Sequence, residues 1–150
     1  MQARYRPLKS FDYFINRYDG HPIYKYRFLG IYENDTLISI WSVRKISINN
    51  AHVLRVIDVL GELKGDLFQS LQQLLSEEGA EYIDFLNYGI EKSIFEQMGF
   101  QELDFDGDLI IPTYFEPFEQ KNKKIELAYK ANFQYVAFKG DADQDRPNLI

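Results

Sequence analysis

Two short segments of this chain match each other: Ile57-Asp58-Val59-Leu60 and Ile83-Asp84-Phe85-Leu86. Each sets a single carboxylate in an apolar run of β-strand character. Brought side by side, two such carboxyls can share a proton, and the one with the raised pKa can act as a base toward an amine. The structural alternative is that each Asp caps a turn or pairs with a base on a nearby strand, such as Arg55. Other chemistry is scarce. The two histidines, His21 and His52, lie beside turns with no identifiable partner to orient them. Cysteine is absent, which excludes disulfides, thiolate metal sites and a cysteine nucleophile.

Composition narrows the classes further. The chain has 150 residues, a single-domain length, with 45% hydrophobic and 16% aromatic residues. Its net charge is -6 and its pI about 4.9, which argues against a general nucleic-acid binder. The charge is uneven: residues 1–60 carry nine Lys/Arg and five Asp/Glu, residues 61–110 carry two and twelve. No apolar run approaches the roughly 20 residues of a membrane span, and the N-terminus lacks a signal-peptide core, so a cytoplasmic location is expected.

Positioning the carboxylates requires a set of elements that the periodicity supplies. Phe11, Phe14, Ile15 and Tyr18 follow Pro7 at helical spacing, with Gly20 placed to end a short amphipathic helix. Tyr24 to Tyr32, Thr36 to Ile48 and Val53 to Leu60 read as three hairpin-linked strands, the turns being Glu33-Asn34-Asp35 and Asn49-Asn50. The third has apolar doublets, Val56-Ile57 and Val59-Leu60, as expected for a strand covered on both faces. Leu67, Phe68, Leu71, Leu74 and Leu75 then mark a helix, with Asp66 as N-cap and Gly79 as terminator. Glu81 to Leu86 reads as a strand parallel to Val53–Leu60, and Ile90 to Met98 as a helix closed by Gly99. Phe100 to Phe105, Leu109 to Phe118 and Phe133 to Phe138 are further strand candidates, and Lys123 to Lys130 fits helix or strand. The fold class expected is α/β (α+β), an antiparallel meander followed by a parallel βαβ unit and flanking helices.

The segments Ile83-Asp84-Phe85 and Ile94-Phe95-Glu96-Gln97-Met98-Gly99-Phe100, set in that order of elements, carry a likeness to a known family. Over residues 24–106 the chain resembles the GNAT acyl-CoA N-acyltransferases, many of which end the corresponding helix with an apolar residue, Tyr, Glu, Lys, an apolar residue, Gly and Phe. The resemblance implies an acyltransferase that moves an acyl group from acetyl-CoA or another acyl-CoA to a small-molecule amine or amino sugar, with no metal required. Asp58 or Asp84 would be the base, in the opening between their two strands. Tyr88 would be the acid, and Val59 with Gly61, Lys64 and Gly65 would meet the carrier.

The chain departs from the family pattern where the cofactor should bind. The family holds the pyrophosphate on an Arg/Gln-x-x-Gly-x-Gly/Ala loop, where backbone N–H groups face the anion. Here that place reads Leu60-Gly61-Glu62-Leu63-Lys64-Gly65-Asp66, and Glu62 and Asp66 oppose a diphosphate. Phe95 replaces the family's proton-donating Tyr. Tyr88 stands where Asn is common, and Glu91 where a small residue is. A second expectation follows, a non-catalytic GNAT-like binding or partner module that has lost CoA binding.

Three features stay open at this level. The cluster Tyr24, Tyr26, Phe28, Tyr32 and Trp41, with Lys25, Arg27 and Arg44, suits a stacking platform or one core face of the meander. Asp141, Asp143 and Asp145 hold positions 1, 3 and 5 of a calcium-loop pattern whose Gly and terminal Glu are missing, leaving a partial cation site or a solvated tail. Residues 1–150 are expected to form one GNAT-like domain, with an excised half of a tandem protein and a homo-oligomer as open alternatives and no nucleic-acid or membrane partner.

Overall fold

Ser10 opens the first helix: its Oγ accepts from the Tyr13 N–H at 3.1 Å, and α1 runs Phe11–Tyr18. Phe14 and Tyr18, four residues apart, are buried on one side, while Phe11 is exposed. The computed structural model to which these elements belong describes residues 7–64, 66–111, 121–122 and 124–142.

Three antiparallel strands follow, β1 (Arg27–Glu33), β2 (Thr36–Ile48) and β3 (Ala51–Gly61). Asn34 and Asp35 turn the first hairpin and Asn49 and Asn50 the second, all four at positive φ, the conformation that tight hairpin turns demand. Helix α2 (Phe68–Glu78) ends at Gly79 in the left-handed region. It carries the chain to β4 (Tyr82–Phe85), which pairs parallel to β3 from Val53↔Tyr82 to Val56↔Phe85. The result, among the described residues, is a four-stranded mixed sheet, β1-β2-β3-β4, with three α-helices, the third being α3 (Lys92–Gln97). Meander, crossover and parallel strand match the expected order.

Strand β3 is buried on both faces, as its apolar doublets predict. On one face Trp41, Val43, Val56 and Val59 pack with Leu71, Phe95, Met98, Val136 and Phe138. On the other, Ile57 and Leu60 pack with Phe14 and Tyr18 of α1. A β-bulge allows this distribution. Ser42 pairs with Asp58 but Val43 with Val56, so Ile57 is an extra residue on β3. The bulge turns Asp58 away from Val56's face and toward α1.

Phe85 ties the first core together. Its ring lies 5.3 Å from Trp41, 5.0 Å from Phe95, 5.9 Å from Phe100 and 5.8 Å from Phe138. Beyond α3 the chain departs from expectation. Phe100 to Phe105 is not a strand: Asp104 forms a local turn, accepting from the Asp106 N–H at 3.0 Å, within a stretch crowded with carboxylates. Residues 109–111 and 124–130 are neither helix nor strand, and 112–118 lie outside the described residues. Of Phe133 to Phe138 only Ala137–Phe138 forms a strand, β6, pairing with the short β5 (Asn87–Tyr88). Leu67, not Asp66, is the N-cap of α2, although Asp66 Oδ1 accepts from the Phe68 N–H at 3.3 Å.

Phe85→Ala removes the ring that joins these neighbours and should cost about 2–4 kcal/mol in urea unfolding, with Phe85→Leu costing about half as much. Equal midpoints for wild type and Phe85→Ala would show that the aromatic cluster contributes nothing.

Candidate functional site

The pairing of β4 with β3 stops at Val56↔Phe85, while β3 continues to Gly61. Beside that unpaired half of β3 lies a strap formed by residues 136–142. Val136 and Phe138 belong to the core on the α2–α3 side. Gly140, four residues past Val136, lies against Tyr18 and Asp58 on the α1 side. The strap therefore passes along the open edge of β3 from one face of the sheet to the other. Gly140 makes this possible: a Cβ there would collide with the Tyr18 hydroxyl and come within 3.3 Å of the Ile57 carbonyl oxygen. Arg17 Nη2 donates to the Gly140 carbonyl at 2.6 Å.

Asp58 stands where strap, helix and strand meet, with 0% of its side chain exposed. Oδ1 accepts from the Lys9 ammonium and from the Val59 N–H at 2.8 Å. Oδ2 accepts from the Tyr18 hydroxyl at 2.7 Å. Lys9 also donates to Asp141 Oδ2 at 2.7 Å, and that oxygen accepts from the Phe138 N–H at 2.9 Å. The Lys9 ammonium is 4.9 Å from the centre of the Phe138 ring. One buried cation thus bridges two carboxylates, one from β3 and one from the strap. Burial pushes the Asp58 pKa above the ordinary carboxylate range, against the pull of Lys9. Burial, followed by the charge of Asp58, pushes the Tyr18 phenol well above its usual value.

The other sequence-predicted residues lie in separate surroundings. Asp84 is held by Arg55, whose Nε donates to both carboxylate oxygens at 2.9 and 2.7 Å and whose Nη2 bonds Oδ2. Arg55 faces Arg44 across the β2–β3 ladder, so Asp84 offsets a like-charge pair, and Arg44 stacks 3.7 Å from the Tyr24 ring. Asp58 and Asp84 therefore occupy the same sheet but answer to different cations. Tyr88 lies on β5, exposed, with its ring 5.6 Å from Tyr129 and 6.4 Å from Tyr135. A hydrogen bond with Tyr129 raises its phenol pKa.

The presumed carrier loop is internally engaged. Val59 is buried in the core, with its N–H on Asp58. Gly61 ends β3 at φ 106°, and the Glu62 N–H donates to the Ile38 carbonyl at 3.1 Å. Lys64 pairs with Glu33 at 2.8 Å and lies 4.0 Å from Glu62. Gly65 lies outside the described residues. Phe95 is buried against Phe85 and Phe100.

Among the remaining candidates, His21 Nδ1 accepts from the Tyr24 N–H at 3.0 Å, and His52 Nδ1 meets Ser47 Oγ at 2.8 Å across the hairpin. Trp41 faces the core while Tyr24 and Tyr26 pack near α1, so the N-terminal aromatics are divided between the two faces of the sheet. Asp141 is bound to Lys9, and Asp143 and Asp145 lie outside the described residues. No group of three or more metal-ligating side chains converges among the described residues. Nor does any helix there have the length and apolarity to cross a membrane. A surface cleft of about 590 Å³ lies apart from Asp58, lined by Lys92, Glu96, Glu102, Asp104 and Asp106 among others.

Lys9, Tyr18, Gly140 and Arg17 are the site residues that sequence reading missed. Tyr18 was legible as a buried helix position, but Lys9 is 49 residues from Asp58 and 132 from Asp141, with no local pattern linking them. No family model, no curated protein and no solved structure matches this chain.

Lys9→Met strands two buried carboxylates and should cost about 3–5 kcal/mol near neutral pH. A carboxyl whose folded pKa is raised binds its proton more tightly folded than unfolded, so its stabilising contribution is present at low pH and lost as pH rises through the folded pKa. The penalty of Lys9→Met should therefore shrink toward pH 4 as the carboxyls take up protons, a trend readable from urea midpoints across pH. A pH-independent penalty would show that the carboxylates are not its source.

Proposed function

We propose that this chain is a GNAT-like domain acting as a non-catalytic binding or partner module that no longer uses acyl-CoA. The observation that carries this reading is the occupation of the β3 edge by the 136–142 strap, with Asp58 sealed beneath it. A base must reach the proton it abstracts. Asp58 already accepts three hydrogen bonds, from Lys9, Tyr18 and Val59, and has no exposed surface. The carrier side agrees. Glu62 and Asp66 set negative charge at the start of α2, and Lys64 is drawn to Glu33, so a diphosphate would have to displace an existing ion pair. Phe95 offers no proton to a departing thiolate.

The element order supports the GNAT-like part of the proposal, and the parting of β3 from β4 after Val56 and Phe85 is the feature on which an acyltransferase reading would rest. In that second reading Asp58 or Asp84 is the base, and acetyl-CoA meets Val59 and the 61–65 loop. Its acceptor is a small-molecule amine or amino sugar.

Thermal melts with acetyl-CoA, CoA and phosphopantetheine separate the two. At about 1 mM ligand we expect the Tm to move by less than about 1 °C, whereas a site filled to a hundred times its Kd gains about 2.7 kcal/mol, worth several degrees. Such a shift would overturn the non-catalytic reading. The same melts on Asp141→Ala, which cuts the strap's bond to Lys9, should also stay flat. A shift confined to that variant would mean that the strap blocks a working carrier slot, and would equally overturn it.

A further inference from the structure

The outer edge of β1 is a regular strand template. Among the described residues β1 pairs with β2 alone in the four-stranded sheet. Its residues are largely exposed, including Phe28 at 37% and Tyr32 at 63%. Proteins commonly blunt such edges with bulges, proline or charges inside the strand. Here the pairing steps from Ile31↔Ser39 to Tyr32↔Leu37, so the extra residue, Ile38, belongs to β2, and β1 itself stays regular. Proline is absent from Arg27–Glu33, and charge occurs only at the two ends.

The order Arg27-Phe28-Leu29-Gly30-Ile31-Tyr32-Glu33 is self-complementary when two copies run antiparallel about Gly30. Arg27 then faces Glu33 of the second copy, Phe28 faces Tyr32, and Leu29 faces Ile31. Gly30 faces Gly30, where the missing side chains let the backbones approach. The two-fold symmetry forms each of these pairs twice, as an isologous interface requires. Sliding the register by two residues sets Arg27 against Ile31 and loses both charge pairs, so the charges select one alignment. The present partners of the two end charges do not compete with it. Glu33 is held by Lys64 at 2.8 Å and Arg27 by Glu78, all on exposed side chains apart from the largely covered Glu78, so the new pairs extend existing ones. Phe28 and Tyr32 share one face of the strand, and the cross-strand aromatic pairs would cover both.

We propose that β1 is a homodimerisation edge, at which a second copy of this chain adds its own β1 antiparallel and joins two four-stranded sheets into one of eight strands. The test is sedimentation equilibrium of the full chain, wild type against Arg27→Glu, Glu33→Arg and the double swap. Wild type should dimerise. Each single swap opposes like charges at both ends and should weaken the dimer about tenfold or more, while the double swap, with the pairs restored in reverse, should recover it to within about threefold. Melting curves for each variant identify loss of dimer without loss of fold, and recovery in the double swap cannot come from a folding defect. A wild-type monomer at about 100 μM, a range in which specific interfaces assemble, would overturn the proposal. So would single swaps that leave a dimer intact, or a double swap that stays monomeric. A dimer that forms only after residues 1–6 are deleted would assign the edge to the chain's own N-terminal segment and overturn it as well.

Discussion

One ammonium group placed between two buried carboxylates holds this structure together at its most distant points. Lys9 precedes α1, Asp58 sits in the middle of β3 and Asp141 lies in the strap, so three separate stretches of chain converge on one charge. Ions removed from water are costly, and their mutual attraction offsets that cost only when geometry and further hydrogen bonds are supplied. Here the Tyr18 hydroxyl and the Val59 and Phe138 N–H groups supply them. Burial raises the pKa of Asp58, with the charge of Lys9 opposing the rise and that of Asp141 adding to it.

The cluster depends on one backbone irregularity. Without the bulge at Ile57, strict alternation along β3 would send Asp58 into the apolar face occupied by Trp41, Val43 and Val56. With it, Ile57 and Asp58 both face α1, and the apolar alternation resumes with Val59 in the opposite core. The bulge also lies just past the last β3–β4 pair, where the sheet edge becomes free for the strap. One local insertion therefore aims the carboxylate and stands beside the gap that the carboxylate's partner closes.

Much of the frame was legible in the residues, and most of the site was not. Local signals located both hairpins, because Asn and Asp tolerate the positive φ that the turns require, and located α2 through its leucine spacing and Gly79. The doublets Val56-Ile57 and Val59-Leu60 announced a strand covered on both faces, while the bulge at Ile57 emerged only from the register with β2. Asp84 was paired with Arg55 in the structural alternative, and register delivers that pair directly. The Lys9 contacts had no such signal, since charge pairing across 132 residues leaves no periodicity. The strand expected from Phe100 onward failed for a visible reason: apolar residues separated by Glu102, Asp104 and Asp106 imitate strand alternation, but Asp104 folds back on its own backbone.

The same residues that look like catalytic candidates in the sequence are those the fold has the strongest reason to use internally. A carboxylate in an apolar strand run is suspicious because burying it is expensive, and that expense is met here by separate partners: Lys9 with Tyr18 for Asp58, Arg55 for Asp84. Functional use would require one of these bonds to be surrendered to substrate. For Asp84 that means leaving Arg55 opposite Arg44 with like charges unrelieved. For Asp58 it means withdrawing the strap from the edge of β3. The first undermines the sheet and the second unpins the strap, so the chemistry that the sequence advertises is largely committed to holding the fold closed.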